Sequence, residues 1–172
     1  MATVRDSGVV VRPAGSHDLR AVTRIYAHYV LNTVVTLEED PPTLGDWRRR
    51  AEGACAQGLP FLVAEDAGEV TGFAYCKPWR SRSAYRHTVE DSVFVAAGAA
   101  RRGAGRRLLR GLLTDSAATG MRQMVAVVVE TGDPASAALH RSCGFDEVGR
   151  LSAVGLKHGR WLDTLLLQRS LP

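Results

Sequence analysis

Residues 93–109, VFVAAGAARRGAGRRLL, hold the residue types and spacing with the clearest chemistry in the chain. Glycines at 103 and 105 let the backbone turn sharply, so consecutive N–H groups converge on one point. The leucine-striped stretch that follows reads as a helix, and a helix N-terminus favours an anion. Arg101, Arg102, Arg106, Arg107 and Arg110 crowd the same bend, adding charge-assisted hydrogen bonds. Arg101, Arg102, Gly103, Ala104, Gly105 and Arg106 are therefore the expected cradle of a pyrophosphate. Two better-known phosphate loops fit less well. No lysine followed by Ser or Thr closes the bend. The G-x-G stands mid-chain, without the third glycine or the first-strand setting of a dinucleotide fingerprint. A basic helix start with glycine for flexibility is the plain alternative.

The elements that must present this bend follow from hydrophobic period. GVVVRP (8–13) reads as a strand. Ser16 is the expected N-cap and Asp18 a first-turn acid of a helix reaching about residue 31, striped by Leu19, Val22, Ile25, Tyr26 and Tyr29. Residues 33–42 end in Pro41-Pro42 and read as a loop, and an arginine-rich helix follows over roughly 43–57. FLVAED and EVTGFAYCKP, joined by Ala67-Gly68, read as a hairpin, and residues 88–95 as another strand. A helix from Gly103 closes at Gly120. MVAVVVE has the unbroken apolar character of a strand covered on both faces. Asp133-Pro134 supplies an N-cap and a first-position proline for a helix ending near Cys143-Gly144. Strands at about 145–154 and 161–169 flank the turn at 157–160. One mixed α/β domain over 1–172 is expected, with no repeat or linker.

Composition narrows the chemistry. Of 172 residues, 45% are hydrophobic and 23% charged, an ordinary globular balance. No apolar run approaches the ~20 residues needed to cross a bilayer. The opening MATVRDSGVVVRPAG lacks the apolar core of a secretory signal, so a cytoplasmic location is expected. Cys55, Cys76 and Cys143 have no metal-ligand spacing and form no complete disulfide set. Buried thiols and no metal are expected, with Cys143, three residues after His140, the one candidate for a reactive thiol. The net charge of +4 gathers around glycines rather than aromatic residues. Single-strand binders interleave the two, so a phosphate-bearing small molecule fits better than nucleic acid. A basic nucleic-acid-binding module is the remote alternative.

The glycine bend resembles the Q/R-x-x-G-x-G/A motif of the GNAT superfamily of N-acetyltransferases, with Ala100 where that motif leads with Gln or Arg. Within it, the chain is similar to the phosphinothricin N-acetyltransferase group over nearly its whole length. HYV (28–30), GFAYCKPWRSRSAYRHTVEDSVFV (72–95) and GLKHGRWLD (155–163), followed by Gln168 and Leu171, match that group's segments in order. The resemblance implies a GNAT fold: an α/β architecture whose mixed central sheet splays open in the middle, with helices on both faces. It implies acetyl-CoA as co-substrate, lying between the strands at 88–95 and 123–130. The backbone of Val93, Phe94 and Val95 would line the pantetheine arm, and Asp133 and Ser136 would contact the cofactor from the next helix. Asp133 stands where the family usually has Asn, and a carboxylate accepts but does not donate.

Direct transfer needs a neutral amine, whereas amino-acid amines are mostly protonated at pH 7. Glu90 holds the position the group uses for the base that removes the proton. Asp91 should face the opposite side, because alternate strand residues point apart. His140 matches a histidine sometimes assigned a catalytic role and stands open between that role and a core histidine. No tyrosine occupies the family's general-acid position near 140–145. Arg82 matches an arginine near the substrate carboxylate, with Tyr85 and Lys77 as further substrate contacts. Trp79 is expected in the core, and Lys157, His158 and Trp161 at the site's edge or a subunit contact. The resemblance suggests a homodimer that acetylates phosphinothricin, methionine sulfoximine, methionine sulfone or a related amino acid, as in antibiotic or herbicide resistance. Another amine, on an aminoglycoside or a protein N-terminus, is the alternative acceptor.

Overall fold

The computed structural model describes residues 8–172, so the opening segment of the expected 1–172 domain lies outside the described residues. Strands β1 (Val10–Pro13), β2 (Phe61–Asp66), β3 (Glu69–Pro78) and β4 (Thr88–Val95) pair antiparallel in succession. β5 (Gln123–Val129) lies parallel to β4, and β6 (Asp146–Lys157) and β7 (Arg160–Ser170) form a closing hairpin. The spatial order is β1-β2-β3-β4-β5-β7-β6.

Strand alternation assigns the two faces. Leu62 and Ala64 of β2, with Ala74 and Cys76 of β3, pack with Leu108, Leu109 and Leu112 of α3 (Ala104–Ala118). Their neighbours Phe61, Val63, Phe73 and Tyr75 turn the other way. They meet Val22, Ile25 and Tyr26 of α1 (Leu19–Asn32) and Trp47 of α2 (Leu44–Ala56). Helix α4 (Ala135–Ser142) joins the α3 face through buried Ala137. Thr43 caps α2, its hydroxyl accepting the Asp46 N–H at 3.2 Å while Asp46 answers from the Thr43 N–H at 2.7 Å.

The centre of the sheet opens as expected. The β4–β5 ladder has three pairs, Thr88↔Gln123, Val89↔Met124 and Glu90↔Val125. Beyond Glu90, β4 stays with β3 as far as Gly72↔Val95, while β5 stays with β7 as far as Val129↔Thr164. Each half of the sheet follows its own partner, and the two diverge.

Four local expectations need correction. Ser16 does not cap α1: Ser16–Asp18 form a 3-10 turn and α1 begins at Leu19. The buried Asp18 carboxylate is taken by Arg12 at 2.7 and 2.9 Å and by the Gly15 N–H at 2.7 Å. Those bonds, Arg12's foremost, hold its carboxyl below the usual range. Pro134, not Asp133, stands at the N-cap of α4, and Asp133 one residue earlier accepts the Ala135 N–H on its Oδ1 at 2.9 Å. Trp79 is half-buried outside the core, with the Arg80 guanidinium 4.8 Å over its ring. Cys55 is exposed, whereas Cys76 and Cys143 are buried. Burial pushes the Cys76 thiol up to about 12, the reverse of a reactive thiol.

Candidate functional site

The parting of β4 and β5 leaves a cleft of about 260 Å³. Its β4 wall runs from Glu90 to Phe94, and its β5 wall from Ala126 to Val129. Asp133, Ser136 and His140 reach it from the α4 side, and Tyr29 and Val35 from the α1 side. The cleft therefore brings together Glu90, His140, Val93, Phe94, Asp133 and Ser136 from the expected set.

The free edge of β4 is set by strand geometry. Ala96 donates its N–H to Thr71 on the β3 side, at 2.8 Å. Backbone polar groups alternate in direction along a strand, so Val93 and Val95 present theirs toward the cleft. Tyr29 exploits this: its hydroxyl donates to the Val95 carbonyl at 2.5 Å. A carbonyl has a second lone pair, and no β5 residue pairs with Val93 or Val95. An extended ligand can add itself here as a strand would.

The glycine bend lies at the far end of β4. Arg101 and Gly103 take positive φ, +65° and +85°. No side chain caps α3, so the N–H groups of its first turn, Ala104 to Arg106, lack intrahelical acceptors. A Cβ on Gly105 would stand 3.4 Å from the Leu139 side chain and 3.6 Å from that of Val95, so the bend is seated directly against β4 and α4. Residues 101–106 do not line the cleft itself. Arg101 and Arg106 are exposed, and Arg102 makes a loose ion pair with Asp66 at 3.6 Å.

Glu90 and Asp91 face opposite ways, as alternation requires. Glu90 shares the α1 face of β4 with Phe94 and pairs with Lys77, its cross-strand neighbour, at 3.0 Å. Asp91 points to the α3 face beside Val89 and receives the His140 Nε2 at 2.9 Å. His140 Nδ1 lies 2.8 Å from the Ser136 carbonyl. Burial disfavours the charged imidazole, but the Asp91 carboxylate and the Ser136 carbonyl outweigh it and raise the pKa of His140.

Other expected contacts lie elsewhere in this chain. Arg82 and Tyr85 sit at the exposed 3-10 turn Ser83–Tyr85, off the cleft lining. Lys157 is buried, and its ammonium donates to the Thr36 carbonyl at 2.8 Å. Desolvation lowers its pKa. It thereby ties the loop carrying Val35 to the last hairpin. His158 borders a separate hollow beside Thr131, and Trp161 is 68% exposed. The sequence reading missed Tyr29, Val35 and Thr131 as cleft residues and Asp91 as the partner of His140. Tyr29 was visible as one apolar position of a helical stripe and within the HYV match, neither of which assigned it to the cleft, and Asp91 lies 49 residues from its partner. Among the described residues, no group of His, Cys, Asp or Glu is placed to hold a metal ion, and no helix is long and apolar enough to cross a membrane.

The comparisons with known proteins decide the family. Residues 22–145 match the model of the Acetyltransferase (GNAT) family. The chain belongs to this family. It is 45% identical over 161 residues to the phosphinothricin N-acetyltransferase of Alcaligenes faecalis, spanning 94% of this chain and 82% of that one. To the L-methionine sulfoximine/L-methionine sulfone acetyltransferase of Pseudomonas paraeruginosa the acetyltransferase is 40% identical, spanning 94% of both chains. A crystal structure of a GNAT superfamily phosphinothricin acetyltransferase from Sinorhizobium meliloti, in complex with acetyl-CoA, superposes with a TM-score of 0.91. That pair is 44% identical and covers 95% of this acetyltransferase and 89% of the other chain.

Proposed function

We propose that this acetyltransferase moves the acetyl group of acetyl-CoA to the primary amine of phosphinothricin, methionine sulfoximine, methionine sulfone or a closely related amino acid. The observation that carries the reading is Glu90, a carboxylate paired with Lys77 on the wall of the cleft where the sheet parts. Its relatives' names supply the acceptor class.

The chain's residues fit acetyl-CoA as a substrate. The unpaired backbone edge at Val93 and Val95 suits the amide-bearing pantetheine arm. The uncapped start of α3, with Arg101, Arg102 and Arg106, suits the pyrophosphate. Arg102 would leave its loose pair with Asp66 at little cost, because both groups meet solvent. Asp133, its Oδ1 already taken by the Ala135 N–H, serves the start of α4 more than the ligand. Glu90 removes the amine proton, directly or through one water, and the neutral amine attacks the thioester carbonyl. The C–S bond breaks and the attacking nitrogen gives up its second proton to the departing sulfur, leaving an acetamide and the coenzyme thiol. Arg82 and Tyr85 reach an acceptor carboxylate only across an exposed turn, so they belong to this proposal as contacts at the mouth.

Gly103 supplies a test of the cradle. A β-branched side chain at φ +85° is strained by roughly 1–2 kcal/mol. Gly103→Val is expected to raise the KM for acetyl-CoA about tenfold and leave the KM for the amine unchanged. Steady-state kinetics with both substrates varied checks it, and an unaltered acetyl-CoA KM would remove the bend from cofactor binding. The acceptor class is tested by thiol release across phosphinothricin, methionine sulfoximine, methionine sulfone, an aminoglycoside and a peptide N-terminus. Turnover confined to the last two would overturn the amino-acid assignment.

A homodimer is part of the same reading. The last hairpin exposes Val148, Leu151, Val154, Leu156 and Trp161, an apolar set characteristic of an interface. Sedimentation at micromolar concentration should give twice the chain mass. A cytoplasmic location is in keeping with three free cysteines.

A further inference from the structure

We propose that Asp91 and His140 form a standing charged bridge across the opened sheet, so that Asp91 is a positioning residue for acetyl-CoA binding and His140 is no proton acceptor. The inference rests on the reading that acetyl-CoA occupies the cleft. Its first support is the hydrogen-bond inventory. Nδ1 of His140 faces the Ser136 carbonyl at 2.8 Å and Nε2 faces the Asp91 carboxylate at 2.9 Å. With Asp91 as its carboxylate both partners are acceptors, so both ring nitrogens carry protons and the ring is an imidazolium. A general base needs a free lone pair. This ring has none.

The second support is placement. The β4–β5 ladder ends at Glu90, one residue before Asp91. Asp91 is thus the first β4 residue without a β5 partner, at the vertex of the wedge. His140 lies in the last turn of α4, the helix whose start carries Asp133 and Ser136. The bridge therefore replaces the missing backbone ladder with one charge-assisted bond, and fixes how far α4 stands from β4. Phe145 packs edge-on against the imidazole with ring centres 5.1 Å apart, so the ring cannot swing freely.

Burial makes the bond consequential. The two side chains are 6% and 1% exposed. A buried carboxylate without its cation is strongly disfavoured, and Asp91 Oδ1 already lacks a hydrogen-bond partner. Asp91 lines the cleft, and this buried oxygen has no other group among the described residues to offset its charge. Among the described residues Cys76, the cross-strand neighbour of Asp91, is a further titratable group, its thiol kept neutral by burial near the Ser116 hydroxyl of α3, with Asp115 of that helix also acting on it. Glu90 faces away on the opposite side of β4. The bridge and the proposed base therefore sit on two faces of one strand.

The test reads the ring directly. Nitrogen NMR of the full chain with labelled histidine, without any substitution, should show both His140 nitrogens protonated well above the ordinary imidazole value of about 6.5. In Asp91→Asn the same ring should titrate below that value, since burial remains and the carboxylate does not. Asp91→Asn should weaken acetyl-CoA binding by about ten- to a hundredfold, measured calorimetrically. Its kcat at saturating substrates should change less than threefold, with the pH profile of kcat unmoved. Asp91→Glu, which keeps the charge, should recover most of the affinity. A neutral His140 ring in the unsubstituted protein would overturn the bridge, whether or not any variant folds. So would an Asp91→Asn protein that binds acetyl-CoA normally or whose kcat profile loses an ionisation. Failure of every amine to react would sink the proposed acceptor and leave the ring spectrum and the binding data to judge the bridge.

Discussion

Replacing Glu90 by Gln is expected to lower kcat/KM for the amine by about 10²–10⁴-fold at pH 7, the usual contribution of a positioned acid–base group. The substitution keeps the shape of the side chain and its place opposite Lys77. Lys77 loses its carboxylate partner at 3.0 Å, but its side chain is 51% exposed, so water takes over the ammonium at small cost. Stability and acetyl-CoA affinity should consequently hold. The deficit should shrink as pH rises, because a larger share of the amine is then neutral without help. Steady-state rates for both proteins between pH 6 and 10 would check the size and the slope together. An undiminished kcat/KM at pH 7 would remove Glu90 from proton transfer, and a deficit independent of pH would assign it to acceptor binding.

The second large effect lies in the aromatic core behind Glu90. Trp47 is fully buried and meets Tyr26, Phe73 and Tyr75 edge-on, with ring centres 5.2, 5.3 and 5.7 Å away. The Arg50 guanidinium closes over its ring at 4.8 Å. Trp47→Ala is expected to cost about 3–5 kcal/mol, combining lost transfer energy with a cavity that rigid strands cannot collapse. For a chain of this size that corresponds to a fall of roughly 6–20 °C in Tm. Trp47→Phe should cost much less. It keeps an aromatic ring and removes the indole N–H, which is buried with no hydrogen-bond partner. Thermal unfolding of both variants would check the order. A Trp47→Ala protein within about 1 kcal/mol of the original would mean that α2 is not anchored by this side chain.

These two residues show what sequence alone reveals. The place of Glu90 on the cleft wall was legible because a motif names its position and strand alternation gives its direction. Trp47 lay in a helix read as polar and arginine-rich, and nothing in that local pattern reported the cluster of rings across the sheet. The α/β order, the hairpin at Ala67-Gly68 and the opening of the sheet were legible because each rests on local turn chemistry, hydrophobic period or a matched motif. Ser16 misled because a local cap rule competes with Arg12, which claims Asp18 from another element. The partner of His140 was out of reach for a similar reason. Its residue type admits a base, a ligand or a core ring, and only the two acceptors at its nitrogens distinguish them. Arg82 and Tyr85 came from motif matching, and the fold of one chain leaves them on an exposed turn.

The family places acetyl-CoA at the centre of this account, and its binding can be measured without knowing the acceptor. Isothermal titration of the purified chain with acetyl-CoA should give a saturable heat with one coenzyme per chain. It should weaken as salt rises, because the proposed hold on the diphosphate is by arginines and a helix start. Absence of any heat at millimolar coenzyme, with the protein folded, would contradict the assignment of the opened sheet and its glycine bend.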